Sequence, residues 1–175
     1  MKTVSVILLA VVAVLAVVGA LFALDRDGFW RRIAGDPDLG DTDFATLGPA
    51  PKPNEALVCP PDHCPRRTPD IASPVYDRDA AAMRTIMAER LAGRARLVRV
   101  DDDGDPTRLR YVARSRLMRF PDTISVAFVD LGQGRSGVAM HGRAQLGRSD
   151  MGVNAARLRA WLRLLADHEA DAGGG

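Results

Sequence analysis

Three groups of residues in this chain carry side chains that could do chemistry. The first is Cys59-Pro60-Pro61-Asp62-His63-Cys64, which holds both of the chain's cysteines. Two thiolates and an imidazole can ligate zinc, but a closed structural site needs four ligands, and no second spaced pair follows. Dithiol redox chemistry usually places two residues between the cysteines, not four. In an oxidising compartment a disulfide between Cys59 and Cys64 is therefore the leading reading. A metal site at Cys59, His63 and Cys64 comes second and redox catalysis third. So short a loop would contribute less than the ~3 kcal/mol expected for a 15-residue one.

The second group is Gly147-Arg148-Ser149-Asp150-Met151-Gly152-Val153-Asn154. Ser149, Asp150 and Asn154 have short polar side chains that satisfy helix N–H groups, so one reading is a rigid loop locking a helix to a sheet. The other is a ligand pocket, with Arg148 holding an anion beside a helix N-terminus. A hydrolase or transferase centre built from Ser149, Asp150 and His141 is the alternative function. Its spacing lacks a nucleophile elbow. The third group is arginine. Arg110, Arg114 and Arg116 alternate with Leu109, Tyr111 and Ala113, while His141, Arg143 and Gln145 share one side of a later segment. If those sides coincide, one sheet face is basic, either as an ordinary solvated face or as an anion site. Guanidinium suits bidentate binding of carboxylate or phosphate. The candidate ligand-binding set is Arg110, Arg114, Arg143, Arg148, Asp150 and Asn154. No catalytic residue, metal ligand or cofactor is assigned.

The elements that must position these groups begin with a span. Residues 4–24 carry no charge, and Ser5 is their only polar side chain. A helix of about 20 residues crosses the ~30 Å hydrocarbon core of a bilayer. Lys2 precedes the run, Asp25, Arg26 and Asp27 end it, and Trp30 sits where an interfacial aromatic would sit. The run is longer than a signal-peptide h-region, so residues 1–24 read as an uncleaved anchor, with membrane contact through residues 3–24. Residues 25–52 read as a polar linker: Asp36, Asp38, Asp41 and Asp43 are interspersed with glycine and proline. Residues 54–74 read as proline-rich coil.

A soluble domain, residues 53–168, follows. Ala80, Met83, Ile86, Met87 and Leu91 form a helical stripe, which Asp77 or Asp79 can cap and Gly93 can end. The period then shifts to two, giving strands near 97–100, 109–114, 124–129 and 137–145. Leu158, Trp161, Leu162 and Leu165 mark a last helix, with Asn154 as its cap. The expected fold is α+β: an N-terminal transmembrane helix, then a two-layer sandwich of a four-stranded antiparallel sheet with two helices. Residues 169–175 read as a disordered tail.

Net charge is +2, which gives no general attraction to nucleic acid. The distribution is uneven. Residues 25–80 carry 11 acidic and 7 basic side chains, whereas residues 81–175 carry 11 acidic and 16 basic, all arginine. Basic stretches lack interleaved aromatics, so nucleic acid is not an expected partner. An acidic ligand or a protein partner is.

Three segments resemble a bacterial and plastid family known as domain of unknown function 1499. They are Pro53-Asn54-Glu55-Ala56-Leu57-Val58-Cys59-Pro60, Arg119-Phe120-Pro121-Asp122, and Gly147 to Asn154 followed by Arg157. The resemblance covers about residues 50–165. The chain departs from the family's pattern in the run 141–146 and at Ala155, where the family often carries arginine. The resemblance implies an envelope or lumenal domain and no particular reaction. Together with the cysteines, it leads to an expected single-pass protein of a bacterial inner membrane with a periplasmic domain.

Overall fold

The computed structural model describes residues 2–170. Helix α1, Lys2–Leu24, contains the stretch Thr3–Leu24, which is long and apolar enough to cross a membrane and is not buried by the rest of the chain. A second helix, α2, Arg26–Ala34, starts where Asp25 accepts a hydrogen bond from the Gly28 N–H at 2.8 Å. Phe29 and Trp30 pack their rings edge-on against Phe22 of α1. Trp30 also stacks on Phe120 with ring centroids 4.8 Å apart, and its indole N–H donates to the Met118 carbonyl at 2.6 Å. The tryptophan expected at a membrane interface is thus also a joint between α1 and the domain.

The sheet has six strands rather than four: β1 Glu55–Cys59, β2 Ile71–Ala72, β3 Leu97–Arg99, β4 Arg108–Arg114, β5 Pro121–Gly132 and β6 Arg135–Ala144. Their order is β2-β1-β6-β5-β4-β3, with β1 and β2 parallel and every other pair antiparallel. The strands near 97–114 and 121–144 form the expected meander. The additional pair lies in the segment expected as coil. In β1 four successive residues, Ala56 to Cys59, are buried, so the alternation that marks a one-sided strand is absent. Prolines on both sides reinforced the coil reading.

One face of the sheet carries the main core. Leu109, Tyr111, Ile124, Val126 and Met140 pack against α3, Ala80–Leu91, and α4, Val153–Leu164. The expected stripes are buried there, through Met83, Met87, Leu158 and Trp161. Asp79 caps α3, accepting from the Ala82 N–H at 2.8 Å, and Gly93 follows the helix at φ +67°. The start of α4 differs from the expectation. Gly152 occupies the cap position, and the Asp150 carboxylate supplies the caps, accepting from the N–H groups of Gly152 at 3.0 Å and Asn154 at 2.8 Å. Asn154 is instead fully buried against Gly142, where an added Cβ would come within 3.0 Å of the Asn154 Oδ1. Glu169 bridges Tyr76, and the Ala170 N–H donates to the Val75 carbonyl, so the expected tail starts as ordered chain. Its remainder, 171–175, lies outside the described residues.

The opposite face of the sheet is covered by residues 35–47. Phe44 packs there with Leu57, Cys59, Cys64, Ala127 and Ala139 in a small second core. This stretch, expected as part of a polar linker, runs as a strap across the strands.

Candidate functional site

The strap decides the fate of the arginine face. Arg110 pairs with Asp38 at 3.0 Å, and Arg108 pairs with Asp41 at 2.7 Å while donating to the Thr42 carbonyl. Arg143 donates to the carbonyls of Leu39 and Gly40 at 2.7 and 2.8 Å. Gln145 donates to those of Ala34 and Asp36. Arg114 reaches Asp27 of α2 at 3.2 Å, as does Arg119 at 2.6 Å. The hydrogen bonds from Arg119, with the charge of Arg114 beside them, hold the Asp27 carboxyl below its ordinary range. Arg110 and Arg143 do share a face, as the alternation requires. That face holds the strap in place.

His141 sits beneath the strap with 1% of its surface exposed. One ring nitrogen stands 3.0 Å from the Thr42 hydroxyl and the other 2.7 Å from Glu55. Burial lowers the His141 pKa; the Glu55 carboxylate opposes this only in part. A guanidinium nitrogen of Arg67 lies 3.0 Å from the other Glu55 oxygen, an ion pair whose angle falls outside hydrogen-bond geometry. Both ring nitrogens of His141 are thus engaged away from Ser149 and Asp150. The Ser149 hydroxyl accepts from the Met151 N–H at 3.2 Å, and the Asp150 carboxylate caps α4. The structure does not assemble a triad from these residues. Cys59 and Cys64 form a disulfide. Their sulfurs are therefore not available as the thiolate ligands that the metal reading needs.

Two adjoining depressions remain at the end of the domain that meets α2. The first is an apolar cavity of about 410 Å³. Trp30, Phe120, Leu146, Met151 and Val153 line it, with Asp122 and Ser149 in its wall. It lies where the segments Arg119 to Asp122 and Gly147 to Asn154 meet, the two that carry the C-terminal part of the family resemblance. The second is a groove of about 560 Å³ containing five arginines: Arg94, Arg96, Arg114, Arg116 and Arg157. Ser115 and Val153 line both depressions.

The chain brings the five arginines together from three elements. Arg94 and Arg96 lie in the turn between α3 and β3, Arg114 and Arg116 at the end of β4, and Arg157 on α4. Arg96 adopts φ +66°, a left-handed turn conformation. Arg157 is paired with Asp122 at 2.8 Å, across the boundary between groove and cavity. Burial raises the Asp122 pKa despite that partner. Arg94 donates to the Arg90 carbonyl, and among the described residues Arg94, Arg96 and Arg116 have no carboxylate partner. All three are exposed. Of the residues expected from sequence, the structure brings Arg114 to the groove, Asp150 to the cavity wall and Asn154 to the helix beside them. Arg148 stays exposed on the loop. Arg94, Arg96, Arg116 and Arg157 were not in the expected set. Their signal was the excess of arginine after residue 80, without a pattern to say which of them converge.

Comparison with known proteins follows the same boundaries. The model of a family described as Protein of unknown function (DUF1499) matches residues 48–165. No curated protein matches the chain. No solved structure matches it.

Proposed function

The chain belongs to the DUF1499 family, and from that premise we propose a membrane-anchored binding module for an acidic ligand, with the arginine-lined groove as its site. The observation that carries this reading is the concentration of five arginines in one groove, three of them without a carboxylate partner among the described residues. Exposed guanidinium groups hold phosphate or carboxylate by paired N–H bonds and remain charged at any physiological pH. The groove adjoins α2, the helix that directly follows the N-terminal span: Arg114 bonds Asp27, and the turn after β4 receives Arg26 at Leu117 and Trp30 at Met118. A basic cluster so close to a bilayer gains about 1 kcal/mol per cation from an anionic lipid surface.

Binding is favoured over catalysis because Ser149, Asp150 and His141 already serve the fold. A location outside the cytoplasm, in a bacterial inner membrane, is supported by the disulfide and the N-terminal span.

The test is calorimetric titration of inorganic tripolyphosphate into the full chain held in neutral detergent micelles. Replacing Arg96 and Arg116 together with glutamate should weaken binding by more than about tenfold and leave the unfolding temperature near that of the parent. Equal affinity in the two proteins would remove the groove from consideration.

A further inference from the structure

We infer that the apolar cavity beside the groove takes an acyl chain, so that the acidic ligand is an anionic membrane lipid seated with its phosphate among the arginines and one chain against Phe120, Met151 and Val153. This inference rests on the reading of the groove as an anion site and names the ligand class.

Three observations converge on it. The cavity and the groove are neighbours, sharing Ser115 and Val153 as wall residues. A ligand occupying both must therefore be apolar at one end and anionic at the other. The cavity, at about 410 Å³, falls within the ~300–1,000 Å³ typical of small-molecule sites. A mostly apolar wall suits a hydrocarbon chain better than a polar metabolite. Finally, the cavity opens beside the membrane span. Trp30 lines it, and the same ring lies 6.0 Å from Phe22 of α1 and 4.8 Å from Phe120.

The surroundings agree with a chain-accepting mouth. Met151 is 92% exposed and Val153 47%, and Leu117 nearby in sequence to Phe120 is 74% exposed. The boundary between the two depressions is the Asp122–Arg157 pair. A lipid phosphate arriving beside Arg157 competes with Asp122 for that guanidinium.

Native mass spectrometry of the full chain released from neutral detergent tests the assignment. Three probes are compared: dioleoyl phosphatidylglycerol, dioleoyl phosphatidylcholine, and glycerophosphoglycerol, which is the anionic head group without chains. Phosphatidylglycerol should be retained at least about tenfold more tightly than either of the others. Met151→Asp, which places a charge in the cavity wall, and Ser149→Trp, which fills the cavity, should each weaken phosphatidylglycerol but leave tripolyphosphate binding unchanged. Equal retention of glycerophosphoglycerol and phosphatidylglycerol overturns the acyl-chain assignment while the groove reading stands. Equal retention of phosphatidylcholine overturns the claim that the ligand is an anionic lipid. Failure of both phosphatidylglycerol and tripolyphosphate to bind overturns the groove reading itself and the inference with it.

Discussion

The strap-covered face of the sheet and the groove at the end that meets α2 are both rich in arginine, yet they differ in what neutralises the charge. On the face, Arg108 and Arg110 meet Asp41 and Asp38, and Arg143 meets backbone carbonyls of the same strap. In the groove, Arg94, Arg96 and Arg116 meet no carboxylate among the described residues. Arginine type alone reports a capacity for anions. Whether the capacity is already spent depends on a segment about 70 residues away in the chain, and only the fold brings that segment into place. The paired arginines hold the architecture together, and the unpaired ones are those we propose for a ligand.

That contrast can be broken where it is strongest, under the strap. Glu55→Ala takes from Arg67, whose side chain is 6% exposed, its buried partner and leaves it only the half-exposed Asp70 at 3.5 Å. The loss should be about 3 kcal/mol, the cost of breaking a buried pair by removing one partner, measured by denaturant unfolding of the full chain in neutral micelles. A loss below about 1 kcal/mol would put the pair in the class of exposed ion pairs.

Acid should weaken the same network. The folded pKa of His141 lies below its ordinary value of 6.5 because the ring is buried, among Glu55, Thr42, Arg67 and Arg143. The unfolded state then binds the extra proton first. The contribution is fully present above pH 6.5 and is lost as pH falls from there toward the folded pKa, by up to about 1.4 kcal/mol per pH unit. Unfolding temperatures recorded from pH 7.5 to 5.5 should fall more steeply for the parent than for His141→Gln. Parallel slopes would exclude His141 as the source.

The strap itself sets a smaller effect. Asp38→Asn with Asp41→Asn removes two half-exposed ion pairs, and the combined loss should be about 1 kcal/mol. Limited proteolysis should then cut within residues 35–47 faster than in the parent. Unchanged cleavage would mean that Phe44, Thr42 and the backbone contacts hold the strap without those charges.

Much of the domain was legible where one face of an element is buried and the other is not. Leu109 and Tyr111, Ile124 and Val126, and Met83 and Met87 all declare their period. Strand β1 did not, because both of its faces are buried. Helix α2 and the strap fall within residues 25–52, where Asp36, Asp38, Asp41 and Asp43 among glycine and proline give the pattern of a polar linker. Each strap aspartate that matters pairs with an arginine on β4, a contact that no local pattern encodes. The cysteines were legible as a disulfide because their spacing suits little else. At the loop of residues 147–154 the capping reading is met by Asp150, which accepts from two N–H groups at the start of α4, and not by Asn154, which is buried beside Gly142. The groove was legible only as a surplus of arginine. Arg94 and Arg96 lie in a turn that sequence reading used merely to end a helix, and nothing local joins them to Arg116 or Arg157.

The most direct measurement compares two charge reversals in the full chain, titrated with the same tripolyphosphate probe and unfolded in the same neutral micelles. Arg96→Glu with Arg116→Glu should lose binding and change stability by less than about 0.5 kcal/mol. Arg110→Glu with Arg143→Glu should keep binding and lose more than about 1 kcal/mol, because it sets new carboxylates against Asp38 and the strap carbonyls. The reverse pattern, with binding lost only in the second variant and stability untouched, would place the anion site on the sheet face and contradict the division drawn here.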